Sequence, residues 1–339
     1  MEAEGGGPWV RRSLRYTEGM RLLGVAWLLP LALVAQDAAP PQADLSRILD
    51  RVAEEAEAFF QKAPRIIGRE TLTHKGRLGP PRIRWGKSSG APEVRYFTRE
   101  IASEYGFAAL QDKPEWIREF RQVVAIDGRP VLSGKSNPRQ VLAEGMTNED
   151  DRRRINLLRD FERFGQVGAA TDFGQTILLF RTRQRADYEF QLVRREFSGA
   201  EEVLILQWRQ KPDSADAARV YAGRKLDRVS MEGTLILRHD GVPLKITLGL
   251  RNTEDDSLVT HAASVEYAPT RYGVVLPSTV QYRKISQRLI PAKKKKDPPT
   301  PGEPLLLIDN AARYTDWQMF SAEAEIKFTP IEEAPPAKP

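Results

Sequence analysis

Histidine is the residue type in this chain best suited to acid–base catalysis or metal binding, and it occurs only at His74, His239 and His261. None of them has a metal-ligand spacing such as HExxH, and the chain has no G-x-S-x-G elbow and no phosphate-binding P-loop. His261 shares a predicted strand face with apolar residues, which is typical of a core histidine. We therefore predict no catalytic residue, no metal site and no cofactor.

Arginine clusters between residues 181 and 195, and guanidinium groups bind phosphate or carboxylate through two parallel hydrogen bonds. Arg181, Arg183 and Arg185 alternate along the end of a predicted strand, and Arg194 lies on its predicted hairpin partner. The pattern predicts that these four side chains contact an anionic group. The alternative is a solvated strand edge that resists aggregation.

Two helices must help to position these residues. Residues 44–62 form the clearest one, because apolar side chains recur at helical spacing through DLSRILDRVAEEAEAFF and Asp44 is a suitable N-cap. Pro64 ends this helix. A second helix is predicted within 138–164, again from the recurrence of apolar residues.

The rest of the chain indicates an α+β fold that is mostly antiparallel β, because short β-rich runs alternate with turns such as Asp127–Gly128. We expect one large curved sheet, a half-barrel or a partly closed one, in a single domain over 43–328. A polar loop at 291–303 interrupts it, and the proline-rich tail 329–339 is expected to be unfolded. Strands are predicted at 65–74, 93–104, 117–127, 175–183, 187–197, 202–210, 231–238, 243–251, 258–268, 273–286, 304–310 and 322–328.

Several predicted strands are apolar on both faces, including 177–180, 203–206, 235–237, 274–276 and 305–308. Such runs indicate that both sheet faces are covered, yet two helices cover only part of one face. A second sheet layer or an apolar ligand must then cover the remainder. The residues that we predict to line an apolar ligand are Leu204, Leu206, Trp208, Leu244, Ile246, Leu248 and Leu250.

Charge and cysteine content limit the classes of partner. The 339 residues include 52 Lys and Arg against 46 Asp and Glu, a formal net charge of +6 that is spread along the chain. The excess suits peripheral contact with an anionic membrane surface and argues against nucleic acid. The lysine run at 293–296 is either a contact for an anionic headgroup or a solvated loop tip. The absence of cysteine excludes disulfides and an N-terminal lipid anchor on cysteine.

Residues 20–35 have the three-part pattern of a secretory signal peptide, with a positive start at Arg21, an apolar run over 22–34 and Ala35 before the cut. The run is shorter than the roughly 20 apolar residues that span a bilayer. We therefore predict cleavage near Ala35 and a periplasmic or secreted mature protein. Residues 1–19 are interpreted as a non-native extension from an upstream start choice.

Three stretches carry a resemblance to a known group of proteins. FRQVVAIDGRPVL at 120–132, GVVLPSTVQYR at 273–283 and ARYTDWQMFSAEAEIKF at 312–328 resemble segments of exported acidobacterial proteins of unknown function. That group is in turn similar to the half-barrel of periplasmic lipoprotein carriers and related sensor domains, in which a sheet wraps an apolar hollow lined by helices. The resemblance implies binding of an acyl chain or a lipidated partner, and it implies no catalytic residues.

These observations favour an exported binding protein, without catalytic activity, for an apolar ligand or a lipidated partner. One alternative is a structural or interaction module of the cell envelope with a closed core. Another is a hydrolase with dispersed catalytic residues, because a serine–histidine–aspartate triad need not be close in sequence. The sequence leaves the oligomeric state open.

Overall fold

The computed structural model describes residues 42–78, 93–131, 147, 172–198, 201–214, 218–222, 225–291 and 298–319. The predicted signal peptide, the helix within 138–164, the lysine run, the strand at 322–328 and the tail lie outside these residues.

The principal helix of the described residues, α1, spans Gln42–Lys62; this confirms the predicted helix and its end, but it begins two residues before the predicted start, so Asp44 is not its N-cap. Its apolar stripe is buried, with Val52, Ala56 and Phe59 fully so. Asp44 in the first turn and Lys62 in the last turn complement the helix dipole. A short 3-10 turn at Ala63–Arg65, which contains Pro64, then ends the helix and leads into the first strand.

The strands form one large antiparallel sheet that is curved and unclosed, which confirms the predicted fold class. Eleven strands pair in the order β4-β3-β2-β1-β13-β12-β11-β10-β9-β6-β5, and β7 and β8 form a separate two-stranded ladder. The strands are β1 (Ile66–Arg77), β2 (Tyr96–Ala109), β3 (Ile117–Ile126), β4 (Arg129–Pro130), β5 (Tyr188–Ser198), β6 (Glu201–Gln210), β7 (Ala218–Ala222), β8 (Lys225–Val229), β9 (Glu232–Arg238), β10 (Pro243–Glu254), β11 (Ser257–Pro269), β12 (Val275–Ile290) and β13 (Thr300–Met319).

The turn between β3 and β4 forms at the predicted Asp127–Gly128 pair. Both residues have positive φ, 50° and 73°, which is the backbone geometry that two-residue hairpins favour. The Asp127 carboxylate also accepts a hydrogen bond from the backbone N–H of Glu100 and pairs with Arg99. The hairpin therefore forms at the predicted turn, and it lies at one edge of the sheet.

We call the sheet face that packs against α1 the inner face. On β11 it carries buried Val259, Ala263, Val265 and Tyr267, whereas the intervening positions are half-buried or exposed. The opposite, outer face of the central strands is polar, and residues such as Arg283 are exposed there. This alternation shows that most of the sheet needs a cover on one face only.

The predicted apolar coverage of both faces therefore holds only locally. All four residues of 203–206 on β6 are buried, as are 274–276 at the start of β12. Of 305–308 on β13, only Ile308 is buried. β13 also begins at Thr300, so the polar interruption between the last two strands is shorter than the predicted loop 291–303.

The prediction of a strand at 175–183 is wrong. Thr176–Phe180 form a 3-10 helix, and a second 3-10 turn follows at Arg185–Asp187. Ile177 and Phe180 are buried in the main core, so the apolar run is explained by a compact turn. A short apolar run does not distinguish a buried strand from a buried helical turn. We call residues 172–187 the cover segment, because they pack with α1 over the inner face.

Candidate functional site

Most of the residues predicted to line an apolar ligand belong to the core beneath α1 and the cover segment, whereas Leu250 lies beside His261 and Leu244 lies at an irregularity in the pairing of β10 with β9. Five of the seven are buried, and Leu244 and Leu250 are partly buried. Phe180 of the cover segment packs edge-on against Trp208, with ring centroids 5.3 Å apart. The five buried residues are Leu204, Leu206, Trp208, Ile246 and Leu248.

The arginines predicted to contact an anionic group do not share a strand edge. Arg181 donates two hydrogen bonds to Glu57 of α1, at 2.9 and 3.1 Å, and its guanidinium lies 3.6 Å from the centre of the Phe60 ring. Arg185 pairs with Asp50 of the same helix. The carboxylates that these two arginines contact therefore belong to the chain itself, and the contacts fasten the cover segment to α1.

The other two predicted arginines have different surroundings. Arg183 donates to the backbone oxygen of Glu115 at 3.1 Å, so it links the cover segment to the loop before β3. Arg194 lies on β5 and pairs with Glu196 at an exposed position. The predicted cluster of four arginines therefore separates into three contacts of the cover segment and one surface ion pair.

A buried ionic cluster holds the start of the cover segment. Arg121 on β3 donates to both oxygens of Glu70 on β1, at 3.0 and 2.9 Å, to Glu119 at 2.7 Å and to Asp172 at 3.0 Å. Glu119 also accepts from the backbone N–H of Gln175 at 3.2 Å. The cluster therefore joins two strands of the inner face to the first residues of the cover segment.

Burial has a measurable consequence for one of these carboxyl groups. Glu119 is fully buried, and desolvation raises its pKa from 4.5 to about 7, although the Arg121 guanidinium opposes that change. A carboxyl group with this pKa changes charge near neutral pH. The attachment of the cover segment at Gln175 therefore includes a group that titrates in the physiological range.

Tyr267 on β11 provides a second attachment. Its hydroxyl donates to the backbone oxygen of Gly174 at 3.1 Å and accepts from the backbone N–H of Ile177 at 3.0 Å. The hydroxyl thus satisfies a backbone donor and a backbone acceptor that the 3-10 helix leaves unpaired. The cover segment is held by polar contacts at both ends and by apolar contacts between them.

Farther along the inner face the buried residues become polar. His74 Nδ1 lies 2.6 Å from Asn310 Oδ1, and His261 Nδ1 lies 2.9 Å from the Tyr282 hydroxyl. Burial lowers the pKa of both histidines, and the Lys284 ammonium adds to the effect at His261. Both rings are therefore neutral near pH 7. We call this region the polar end, and the region beneath α1 the apolar end.

The polar end also contains a bridged ion pair. Lys284 on β12 lies 3.4 Å from Glu254 on β10, and Asn252 Nδ2 donates to the other oxygen of Glu254 at 3.1 Å. His261 lies on β11 between them and is the register partner of Lys284. Three adjacent strands therefore present polar side chains on the inner face.

An open cavity of about 360 Å³ lies at the rim of the sheet beyond the polar end. Ser257, Ser286 and Arg288 share the inner face with His261 and Lys284, because they continue the two-residue alternation of β11 and β12. The lining residues combine two arginines, three carboxylates, two serines and two leucines: Arg77, Asp255, Asp256, Ser257, Ser286, Arg288, Glu303, Leu305 and Leu307.

The contacts of the histidines bear on the hydrolase alternative. The described hydrogen bonds of His74 and His261 go to an amide and a phenol, not to a serine or an aspartate. His239 lies exposed in a turn. Among the described residues, no group of three or more side chains is arranged to hold a metal ion. None of the helices in the described ranges has the length and apolarity needed to cross a membrane.

Sequence reasoning missed the ionic cluster, although the alternation of the strands contains a signal for it. Glu70 is two residues from Leu72 on β1, and Glu119 and Arg121 lie between Ile117 and Val123 on β3. Charged residues at these inward positions are unusual, since buried charges require partners. Alternation would have indicated a buried ion pair but not which side chains form it.

Comparison with known proteins does not assign this chain to a family. No protein-family model and no curated protein matches this chain. The chain is similar to the crystal structure of a DUF1329 family protein from Desulfovibrio piger at 11% identity, with 83% of this chain and 94% of that chain covered and a TM-score of 0.27.

A second solved structure is similar to the same extent. It is a Vibrio parahaemolyticus domain whose name assigns it to outer-membrane lipoprotein sorting, at 10% identity, with 80% of this chain and 91% of that chain covered and a TM-score of 0.27. Superposition scores this low do not establish a shared fold. The functional argument therefore depends on the contacts within this chain.

Proposed function

We propose that this chain is a binding protein, without catalytic activity, that shelters an apolar ligand or the acyl chain of a lipidated partner on the inner face. The ligand enters where the cover segment now packs. The observation that carries the proposal is that the cover segment is not a strand. It closes the apolar end through side-chain contacts, and only its last residue, Asp187, extends the ladder by accepting a hydrogen bond from the backbone N–H of Lys211.

The way in which the cover segment is attached supports the proposal that it acts as a removable lid. A strand in the middle of a sheet is held by two rows of backbone hydrogen bonds, and its removal breaks the sheet. The cover segment is held instead by Arg181 on Glu57, by Tyr267 and by the ionic cluster around Arg121. Its displacement would leave the strands paired and expose the apolar side chains beneath it.

We further propose that the protein acts outside the cytosol, in the periplasm or after secretion. The support is the signal-peptide pattern of residues 20–35, with cleavage near Ala35. A lipid or a lipidated protein is then the partner, with peripheral membrane contact through the small positive charge excess. Mass spectrometry of the exported protein would show the mature N-terminus after residue 35, whereas an intact N-terminus would contradict this placement.

Native mass spectrometry of the purified chain, combined with displacement of a hydrophobic dye by 1-palmitoylglycerol, tests the binding function. We expect saturable dye binding that the acyl compound displaces. Arg181→Ala, which frees the cover segment from Glu57, should speed dye entry severalfold. The matched control is Arg194→Ala, which removes an arginine from an ion pair outside the cover segment, and it should leave the entry rate unchanged.

Absence of saturable dye binding and of any co-purifying lipid would contradict the proposal. It would favour the second candidate, an envelope interaction module with a closed core. That candidate is supported by one observation, which is that five of the seven predicted ligand-lining residues are already buried against protein. In a closed core, Arg181→Ala would lower stability and leave dye binding absent.

A further inference from the structure

His74 on β1 is fully buried and has a ring nitrogen that lacks a hydrogen-bond partner. Its Nδ1 lies 2.6 Å from Asn310 Oδ1, and an amide oxygen only accepts, so Nδ1 carries the proton. Burial lowers the pKa of His74, which keeps the ring neutral. Nε2 is therefore a bare acceptor, and no donor from the described residues reaches it.

Two further unpartnered atoms lie at the polar end. Asn252 donates through Nδ2 to Glu254, and its Oδ1, which is an acceptor, is buried without a partner. His261 Nε2 is also buried without a partner, while Nδ1 of that ring meets the Tyr282 hydroxyl. Buried polar atoms in folded proteins are almost always paired, so a group of unpaired ones calls for an explanation.

The three atoms lie on the inner face, two of them on the adjacent strands β10 and β11 and the third on β1. His261 is the register partner of Leu250, and Asn252 lies two residues farther along β10 on the same face. His74 lies three strands away from His261 in the sheet order, roughly 14 Å at the usual strand spacing. The unpaired atoms therefore span the polar end.

His74 Nε2 points towards the rim of the sheet. A Cβ placed on Gly76 would lie 3.2 Å from Nε2 and 2.6 Å from the ring of Phe97, so the Phe97 side chain occupies the space over the glycine and packs edge-on against His74. Gly76 pairs with Ile308, and the preceding residue, Leu307, lines the rim cavity. The free nitrogen therefore lies towards the end of the sheet at which the cavity opens, and the half-buried Phe97 side chain must turn aside before a ligand reaches it.

We propose that the polar end recognises uncharged hydrogen-bond donors, a hydroxyl or an amide N–H, on the head of an amphiphile, with His74 Nε2 as the principal acceptor. This inference rests on the proposed function, since the acyl chain of the same ligand lies at the apolar end. A carboxylate or phosphate oxygen offers no proton to a neutral imidazole acceptor. The site therefore selects against fully ionised heads and in favour of hydroxyl or amide heads.

Four probes with the same acyl chain test this selection by dye displacement. 1-Palmitoylglycerol offers hydroxyl donors, palmitamide offers amide N–H donors, and methyl palmitate and ionised palmitate offer none. We expect each donor-bearing probe to bind the wild-type chain roughly five- to tenfold more tightly than methyl palmitate, the scale of one or two neutral hydrogen bonds. The stronger of the two donor probes identifies the donor type.

His74→Phe removes the acceptor and keeps an aromatic ring. We expect the advantage of the donor-bearing probes to fall to about onefold, within twofold, while binding of methyl palmitate persists. The matched control is His239→Phe, which changes an exposed histidine in a turn and should keep the wild-type selectivity. Equal affinity of wild-type protein for the donor-bearing probes and for methyl palmitate would overturn the inference and leave the proposed function intact. Failure of every probe to bind would overturn both.

A measurement on the wild-type chain removes dependence on a variant that fails to fold. The chain has only three histidines, so their ring nitrogens are resolved in nitrogen-15 spectra. The Nε2 resonance of His74 should move upfield when 1-palmitoylglycerol binds, because a lone pair that accepts a hydrogen bond is shielded. Methyl palmitate should leave that resonance in place. An unchanged Nε2 resonance at saturation with 1-palmitoylglycerol would contradict the role of His74.

Discussion

The two ends of the inner face share β10, β11 and β12, whereas β6 contributes to the apolar end alone, and the ends differ in the polarity of their buried side chains. The apolar end, under α1 and the cover segment, buries side chains such as Leu206 and Trp208 against protein. The polar end has buried nitrogen and oxygen atoms on His74, His261 and Asn252 without partners, and the cover segment has two more, Gln175 Oε1 and Gln184 Oε1. The apolar end therefore differs in its packing, whereas unpaired polar atoms occur at the polar end and also in the cover segment. On the proposed function, binding specificity would reside at the polar end, where apolar packing contributes least.

Trp208→Ala provides the strongest test of this division. Trp208 is almost completely buried, packs edge-on against Phe180 and donates through Nε1 to the backbone oxygen of Thr247. We expect the free energy of unfolding to fall by about 3–5 kcal/mol, as for other buried aromatic residues replaced by alanine. Denaturant unfolding measures the change. A comparable loss from His74→Phe would break the comparison, because it would place stability equally at both ends.

The pKa of Glu119 predicts how the attachment of the cover segment responds to pH. Because burial raises this pKa from 4.5 in the unfolded chain to about 7, folding favours the protonated form. The stabilisation is complete below pH 4.5 and is lost as pH rises through about 7, by roughly 3 kcal/mol.

Glu119→Gln isolates this effect from other titrating groups. The variant keeps an oxygen acceptor for the backbone N–H of Gln175 and does not titrate. The unfolding free energy of the wild type, relative to that of the variant, should fall as the pH rises from 4.5 to about 7. His74 and His261 contribute with the opposite sign, since their lowered pKa values disfavour folding at low pH, and they cancel in the difference. A difference that is constant with pH would contradict the assignment.

Gly174→Ala should loosen the cover segment, with a smaller loss of unfolding free energy than Trp208→Ala causes. A Cβ at this position would overlap the Tyr105 hydroxyl and approach Glu119 Oε1 to 3.2 Å. We expect a loss of about 1–3 kcal/mol from overpacking, together with faster hydrogen exchange in the cover segment. Gly249→Ala is the control, because its added Cβ would meet only backbone oxygens at 3.7 and 3.8 Å. Equal losses of unfolding free energy in both variants would show that the cover segment is no more sensitive to an added methyl group than strand β10.

Substitutions on the outer face should change the unfolding free energy least. Arg283 on β12 pairs with Asp309 on β13 at 3.1 Å, and both side chains are partly exposed. We expect Arg283→Ala to change the unfolding free energy by less than about 0.5 kcal/mol, as is usual for exposed ion pairs. Thermal unfolding checks this. A loss above 2 kcal/mol would show that the outer face contributes to stability as the apolar end does.

Local patterns in the sequence predict the elements and much of the fold. The stripe of apolar residues defines α1, and the Asp127–Gly128 pair defines a hairpin, because each depends on neighbouring residues only. The strand predicted at 175–183 fails because an apolar run reports burial and not backbone conformation. The same run places Arg181 at a strand edge, whereas Arg181 pairs with Glu57, which is far away in sequence.

The candidate site was less predictable than the fold. Alternation alone places His261 on the same face as Val259 and Ala263. The contact of His74 with Asn310 depends on the pairing of β1 with β13, which are the first and last strands of the sheet in chain order. Such long-range register is not encoded in a local pattern. Unpaired atoms are recognised only when all neighbours are known, so the polar end became visible in the structure alone.

Hydrogen exchange of the wild-type chain with and without 1-palmitoylglycerol tests the central claim most directly. The backbone N–H groups of Gln175 and Ile177 are bonded to Glu119 and Tyr267, so they report whether the cover segment is in place. The account predicts that saturation with the probe speeds exchange at these two positions and leaves β11 and β12 protected. Unchanged exchange in the cover segment at saturation would show that no ligand enters beneath it.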